Sequence, residues 1–197
     1  MGNEADIGER LRALSGGSAV ALRLDPHEYA DHYFSALSAT LRDASVETDS
    51  HTIFVSVTNP ASLVWSLAQA LDVPAARLSF VDAISHIMMN YRDPLANATY
   101  IESPRMLEDI MLRVEFLLRK HPSEHPLVIL DSVNSLQIHN PPDLLTEFFH
   151  ILLNNLKSRQ VLTVLFAVTD DPSSPTDQML NLLVDEMIDV GRGRGMG

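Results

Sequence analysis

Acids recur where apolar segments stop: Asp25 after Ser18–Leu24, Asp82 after Leu78–Val81, Asp131 after Leu127–Leu130, and Asp170 with Asp171 after Val161–Val168. If those segments are parallel strands, the carboxylates converge on one edge of a sheet, where they can hold a magnesium ion or act as general bases. Asp is also a favoured cap and turn residue, so each acid alone has an ordinary structural use. Ser132 adds a hydroxyl beside Asp131, and it too suits a cap.

Asp131 closes the run Leu127–Ser132 (LVILDS), four apolar residues and then an acid. That is the pattern of a Walker B element, whose acid holds magnesium beside a phosphate. Its usual companion is a glycine-rich loop, GxxxxGK[ST], after the first strand. Leu24–His32 stands there, with no glycine to wrap a phosphate, no lysine to meet its charge, and the acids Asp25, Glu28 and Asp31 to repel it. GxGxxG and GxSxG are also absent, so dinucleotide-fingerprint and nucleophile-elbow chemistry have no footing. Among the eight histidines, His27 and His32 fall on different helix faces, and His121 and His125 sit beside Pro122 and Pro126 in a loop, so no metal site is expected. Trp65, Phe148 and Phe149 fall in helical segments and read as core.

The 197 residues suit one domain, and roughly 70% of the unfolded surface can be buried at such a length. The absence of cysteine excludes disulfides, thiolate metal sites and thiol nucleophiles, and fits a cytoplasmic protein. No apolar run approaches the roughly 20 residues that span a bilayer, and the acidic N-terminus reads as no targeting signal. A net charge of −12 repels a phosphate backbone, so nucleic acid is not an expected partner. Arg192 and Arg194 in the tail are too few to change that.

The elements that must position these residues follow from periodicity. Strands are expected at Ser18–Leu24, Thr52–Val57, Leu78–Val81, Leu127–Leu130, Val161–Val168 and near Met187–Val190. Helices are expected over Pro26–Arg42 with Asp25 as cap, from Asn59-Pro60 to Leu71, from Ser103-Pro104 to His121, from Pro141-Pro142 to Leu156, and around Met179–Val184. Residues 83–104 read as an irregular insertion with a short extended piece at Thr99–Ile101. Strand and helix alternate without hairpin signals, which calls for an open parallel α/β sheet covered on both faces. The domain is taken as 18–190, after an N-terminal segment 1–17 and before a flexible Gly/Arg tail 191–197.

In order and spacing, Gly17–Leu24 (GSAVALRL), His51–Leu71 (HTIFVSVTNPASLVWSLAQAL), Asp72–Ser85 (DVPAARLSFVDAIS), Leu127–Leu136 (LVILDSVNSL) and Leu144–Val168 resemble the KaiC-like branch of the RecA-type ATPases, over residues 17 to about 190. The resemblance implies a three-layer α/β/α sandwich with a mostly parallel central sheet, the RecA-like P-loop NTPase fold. It lays the family's P-loop on Leu24–His32 and its catalytic glutamates on Val57-Thr58-Asn59, where no acid stands, and leaves Asp131 with Ser132 as the Walker B position. What it implies is a degenerate, non-catalytic member with no cofactor in place of the family's ATP and magnesium. Such a domain has a regulatory, signalling or scaffolding role, as a homo-oligomer or beside a RecA/KaiC-like paralogue.

Two alternatives stay open. One is a module binding a nucleotide or another small ligand at the strand ends through Asp25, Thr58, Asn59, Asp131, Ser132 and Asp170. The other is a metal-dependent α/β enzyme using Asp82 and Asp131. Only two lysines stand against 16 Asp and 10 Glu, a surface suited to high salt, where screening relieves self-repulsion. A halophilic source is therefore expected, and the KaiC-like resemblance implies a prokaryotic or archaeal one. Raising KCl from about 0.1 M to about 3 M should raise Tm by roughly 5–10 °C, and an unchanged Tm would remove the salt-adapted reading.

Overall fold

The computed structural model describes residues 2–44, 50–88, 94–169, 171 and 173–191. Strands β1 (Ala19–Leu24), β2 (Ser50–Ser56), β3 (Leu78–Asp82), β4 (Ala98–Tyr100), β5 (His125–Asp131), β6 (Leu162–Val168) and β7 (Glu186–Val190) form one sheet in the order β4-β3-β2-β5-β6-β1-β7. Every pairing is parallel. Alternation splits each inner strand between two cores. Val128 and Leu130 of β5 join one core, and Leu127 and Ile129 the other. The first core lies under α4 (Leu107–Lys120), α5 (Val133–His139), α6 (Pro142–Ser158) and α7 (Pro175–Leu183). The second lies under α1 (Gly2–Ala13), α2 (Tyr29–Ala44) and α3 (Ala61–Ala70). Burial on both faces is why these strands read as continuous apolar runs. The tail residues 192–197, Met89 and Asp170 lie outside the described residues.

The structure departs from the sequence reading at element ends. Asp25 does not cap α2: its carboxylate accepts from the His27 amide (2.8 Å), forming a turn, and the helix starts at Tyr29. In the same way Ser103 accepts from the Arg105 amide (3.2 Å), and α4 starts at Leu107. Both Ser/Asp-Pro signals mark a turn that precedes a helix rather than its first turn. The stretch 83–104 contains β4, which pairs with β3 from Phe80↔Ala98 to Asp82↔Tyr100 and is the short edge strand. α5 went unforeseen because only Val133 and Leu136 of its seven residues are buried, too few for a visible period. The N-terminal segment folds as α1, with Ile7 and Leu11 buried in the second core.

The strand ends are level: Ser56 is in register with both Asp82 and Asp131. Asp82 is fully buried and accepts from the Ala61 amide (2.8 Å), the Ile84 and Ser85 amides (3.0 and 2.8 Å) and the Ser85 hydroxyl (2.6 Å). One carboxylate thus fastens β3 to the start of α3 and to its own following turn. Asp82→Ala leaves three buried amides without an acceptor and should destabilise the fold by about 2–4 kcal/mol in urea unfolding, with Asp82→Asn recovering only part of the loss.

Candidate functional site

In an open parallel sheet, ligands bind in the crevice beyond the carboxyl ends of the strands. At that edge the structure brings together four of the sequence-predicted residues, Thr58, Asn59, Asp131 and Ser132. Strand β5 ends at Asp131, whose carbonyl accepts from the Val57 and Thr58 amides (2.8 and 2.9 Å). That fixes the turn leaving β2 directly against β5. The Asp131–Ser132 peptide is cis.

The Asp131 side chain is completely buried. Its Oδ2 accepts a short hydrogen bond from the Tyr33 hydroxyl and a longer one from Asn59 Nδ2 (3.4 Å). The Asn59 amide also donates to the Tyr33 oxygen (2.7 Å), closing a triangle of side chains. Oδ1 is buried without a hydrogen-bond partner. Burial pushes the Asp131 carboxyl up to about 6, against the hydrogen bonds from Tyr33 and Asn59, which pull it down. Burial and then the Asp131 charge hold the Tyr33 hydroxyl far above its ordinary range, so it stays a donor. Tyr29, stacked on Tyr33 at 5.0 Å, is pushed up to about 12 by burial and then by the same charge.

A second cluster of hydroxyls adjoins the first. Thr58 Oγ1 donates to Ser132 Oγ (3.1 Å) and lies 2.7 Å from Ser135 Oγ. Ser132 caps α5, accepting from the Ser135 amide (3.4 Å). Tyr33 and Ser135 escaped the sequence reading. Tyr33 falls on the apolar stripe of α2 and is 2% exposed, so it reads as core. The one available signal was its hydroxyl, which needs a partner wherever a tyrosine is buried.

Asp25 is placed elsewhere, over β1, β6 and β7, where a depression lined by Arg23, Asp25, Thr169, Asp189 and Val190 is too small for a water-sized sphere. Arg23 is engaged there: it donates to the buried Asp177 (2.7 Å) and to Asp189, and these partners raise its pKa. Asp170 lies outside the described residues. Close by, a Cβ on Gly191 would stand 2.5 Å from the His32 ring, so the segment after β1 packs directly on the end of β7. Among the described residues, no group of three or more His, Asp or Glu side chains gathers as a metal site would require. A cavity of about 690 Å³ opens at the opposite, amino end of the sheet, between Leu11, Thr40, Ser50, His125 and Leu162. Ser50 directly follows residues 45–49, which the structure does not describe.

The single all-parallel sheet, with helices on both faces and level strand ends, defines an open parallel α/β fold. The crystal structure of a KaiC-like protein from the hyperthermophilic archaeon Pyrococcus horikoshii OT3 superimposes with a TM-score of 0.62 at 10% identity, over 92% of this chain and 75% of that one. At that identity the likeness is one of fold. No family model matches the sequence, and no curated protein does. Among the described residues, no helix is long and apolar enough to cross a membrane.

The raised Asp131 pKa makes the folded chain hold a proton more tightly than the unfolded one, whose carboxyl keeps its ordinary value near 3.8. Stability contributed by this residue is therefore greatest at low pH and falls as pH rises from about 4 to about 6. Asp131→Asn should remove this dependence. The stability of the variant relative to the wild type should rise by about 2–3 kcal/mol between pH 4 and pH 7, read from urea midpoints. A constant difference across that range would mean that Asp131 does not titrate there.

Proposed function

We propose that this chain is a degenerate, non-catalytic RecA/KaiC-like domain that regulates or scaffolds through protein contacts. Its partner in this reading is another copy or a RecA/KaiC-like paralogue in the cytoplasm, and its acidic surface suits a salt-rich, archaeal interior. The observation that carries the reading is the occupied face of Asp131. The helix after β1, which in a phosphate-binding member would follow a glycine-rich loop, instead delivers the Tyr33 hydroxyl onto the carboxylate. Asn59 adds its amide to the same oxygen.

The chemistry agrees with this. A P-loop binds phosphate through successive backbone N–H groups and a lysine. Here Asp25 and Glu28 stand at that turn, and Glu28 is paired with His32 (3.2 Å). No acid stands at Thr58 or Asn59 to orient an attacking water. One observation favours a second reading, a nucleotide- or small-ligand-binding module with a rebuilt pocket. The Oδ1 of Asp131 is a buried acceptor with no hydrogen-bond partner, the atom such a ligand's cation or donor would meet.

Calorimetric titration with ATP and magnesium in high salt separates the two. The expected result is no heat of binding at ligand concentrations up to about 1 mM, which corresponds to less than about 4 kcal/mol of affinity. Micromolar binding that disappears in Asp131→Ala would overturn the non-binding reading and establish the second.

A further inference from the structure

We propose that the outer face of α4 is a two-fold symmetric interface with a second copy of this chain. α4 buries Leu107, Ile110, Val114 and Leu117, which satisfies its inward stripe. Its outer side nevertheless carries Leu112, 59% exposed, and Phe116, 49% exposed. Glu108 lies one turn before Leu112 and Lys120 one turn after Phe116, both exposed. A single i, i+4 ridge therefore reads acid, leucine, phenylalanine, base.

This order is complementary to its own reverse. Glu108 and Lys120 have residue 114 as their midpoint, and so do Leu112 and Phe116. Laid antiparallel about an axis at that level, the ridge sets Glu108 against Lys120 and Leu112 against Phe116, each contact occurring twice. That is the condition an isologous two-fold interface must meet. Ridges of i±4 spacing align when two helices cross at about 50°, the commonest packing of helices in globular proteins. The acids in the first turn and bases in the last also suit the helix dipole, and an antiparallel mate brings opposite dipole ends together. The dipole accounts for the charged ends but not for two large apolar side chains held in water between them.

The neighbouring helix also exposes an apolar residue. Asn155 of α6 donates to Glu115 of α4 (2.6 Å), and Ile151, one turn earlier on α6, is 44% exposed. An apolar centre with charged margins is the anatomy of a protein interface, and a chain with a net charge of −12 needs such matched pairs to approach its own copy. The inference deepens the proposed contact role by naming a surface and a partner. Nucleotide titration reports on the strand ends and particle mass on α4, so either reading can fail alone.

Sedimentation equilibrium of the full chain at micromolar concentration in about 0.3 M KCl, where contact ion pairs still count, provides the test. The wild type should be dimeric. Glu108→Lys sets lysines against each other across the axis, and Lys120→Glu sets glutamates together, so each should weaken the dimer roughly tenfold. An equimolar mixture of the two variants should recover it, because the mixed pair has opposite charges at both contacts. Phe116→Asp should give monomers with an unchanged circular dichroism spectrum, since the side chain is exposed. A monomeric wild type, a dimer untouched by Phe116→Asp, or single variants that fail to recover on mixing would each overturn the proposal. A monomer would leave the patch to a different protein.

Discussion

The carboxylate of Asp131 sits at zero exposure at the end of the central strand, and much of the carboxyl edge is arranged to make that tolerable. A buried charge is costly unless hydrogen-bonded, and the donors here come from separate parts of the chain. Tyr33 is supplied by α2, and Asn59 by the turn after β2. The same residue's carbonyl receives two amides from that turn. One acid thus joins the helix after β1, the exit of β2 and the end of β5.

Asp82, at the end of β3 on the far side of β2, shows the same economy with a different balance. It accepts four hydrogen bonds from protein groups, three of them backbone amides, and no oxygen is left bare. Asp131 keeps one oxygen without a partner, and its carboxyl is pushed up to about 6 by burial. The two acids, on the strands flanking β2 and in register through Ser56, therefore differ: Asp82 is fully engaged as a fastener, whereas Asp131 keeps one acceptor unused. This difference rests on how many donors surround each group, which the spacing of acids along the chain does not record.

The layers outside the sheet divide in a similar way. The helices on both faces bury their apolar stripes as parallel strands demand, yet α4 and α6 leave Leu112, Phe116 and Ile151 in solvent. Leu112 and Phe116 stand out because they share one i, i+4 ridge with an acid before them and a base after them. The crevice and this face lie on different elements, the first at the ends of β2 and β5 and the second on α4.

The sequence by itself determined the strands and helices whose apolar pattern is long. Leu127–Leu130 and Val161–Val168 are buried on both faces because a parallel sheet covered by helices leaves them no wet side, and so their runs are unbroken. The stripe from Leu145 to Leu156 likewise specifies α6 with Pro142 at its start. Thr58, Asn59, Asp131 and Ser132 were legible as a group because the fold rule places strand ends together. What only the tertiary structure decided is what spacing does not encode. α1, α5 and β4 draw their stability from neighbours rather than from their own period. Asp25 and Ser103 turn the chain before a helix instead of capping it. Asp25, three strands from β2 in the sheet order, joins Arg23 and Asp189 rather than Asp131. Above all, Tyr33 lies 98 residues from Asp131 in sequence, and only the packing of α2 on the sheet brings its hydroxyl onto the carboxylate.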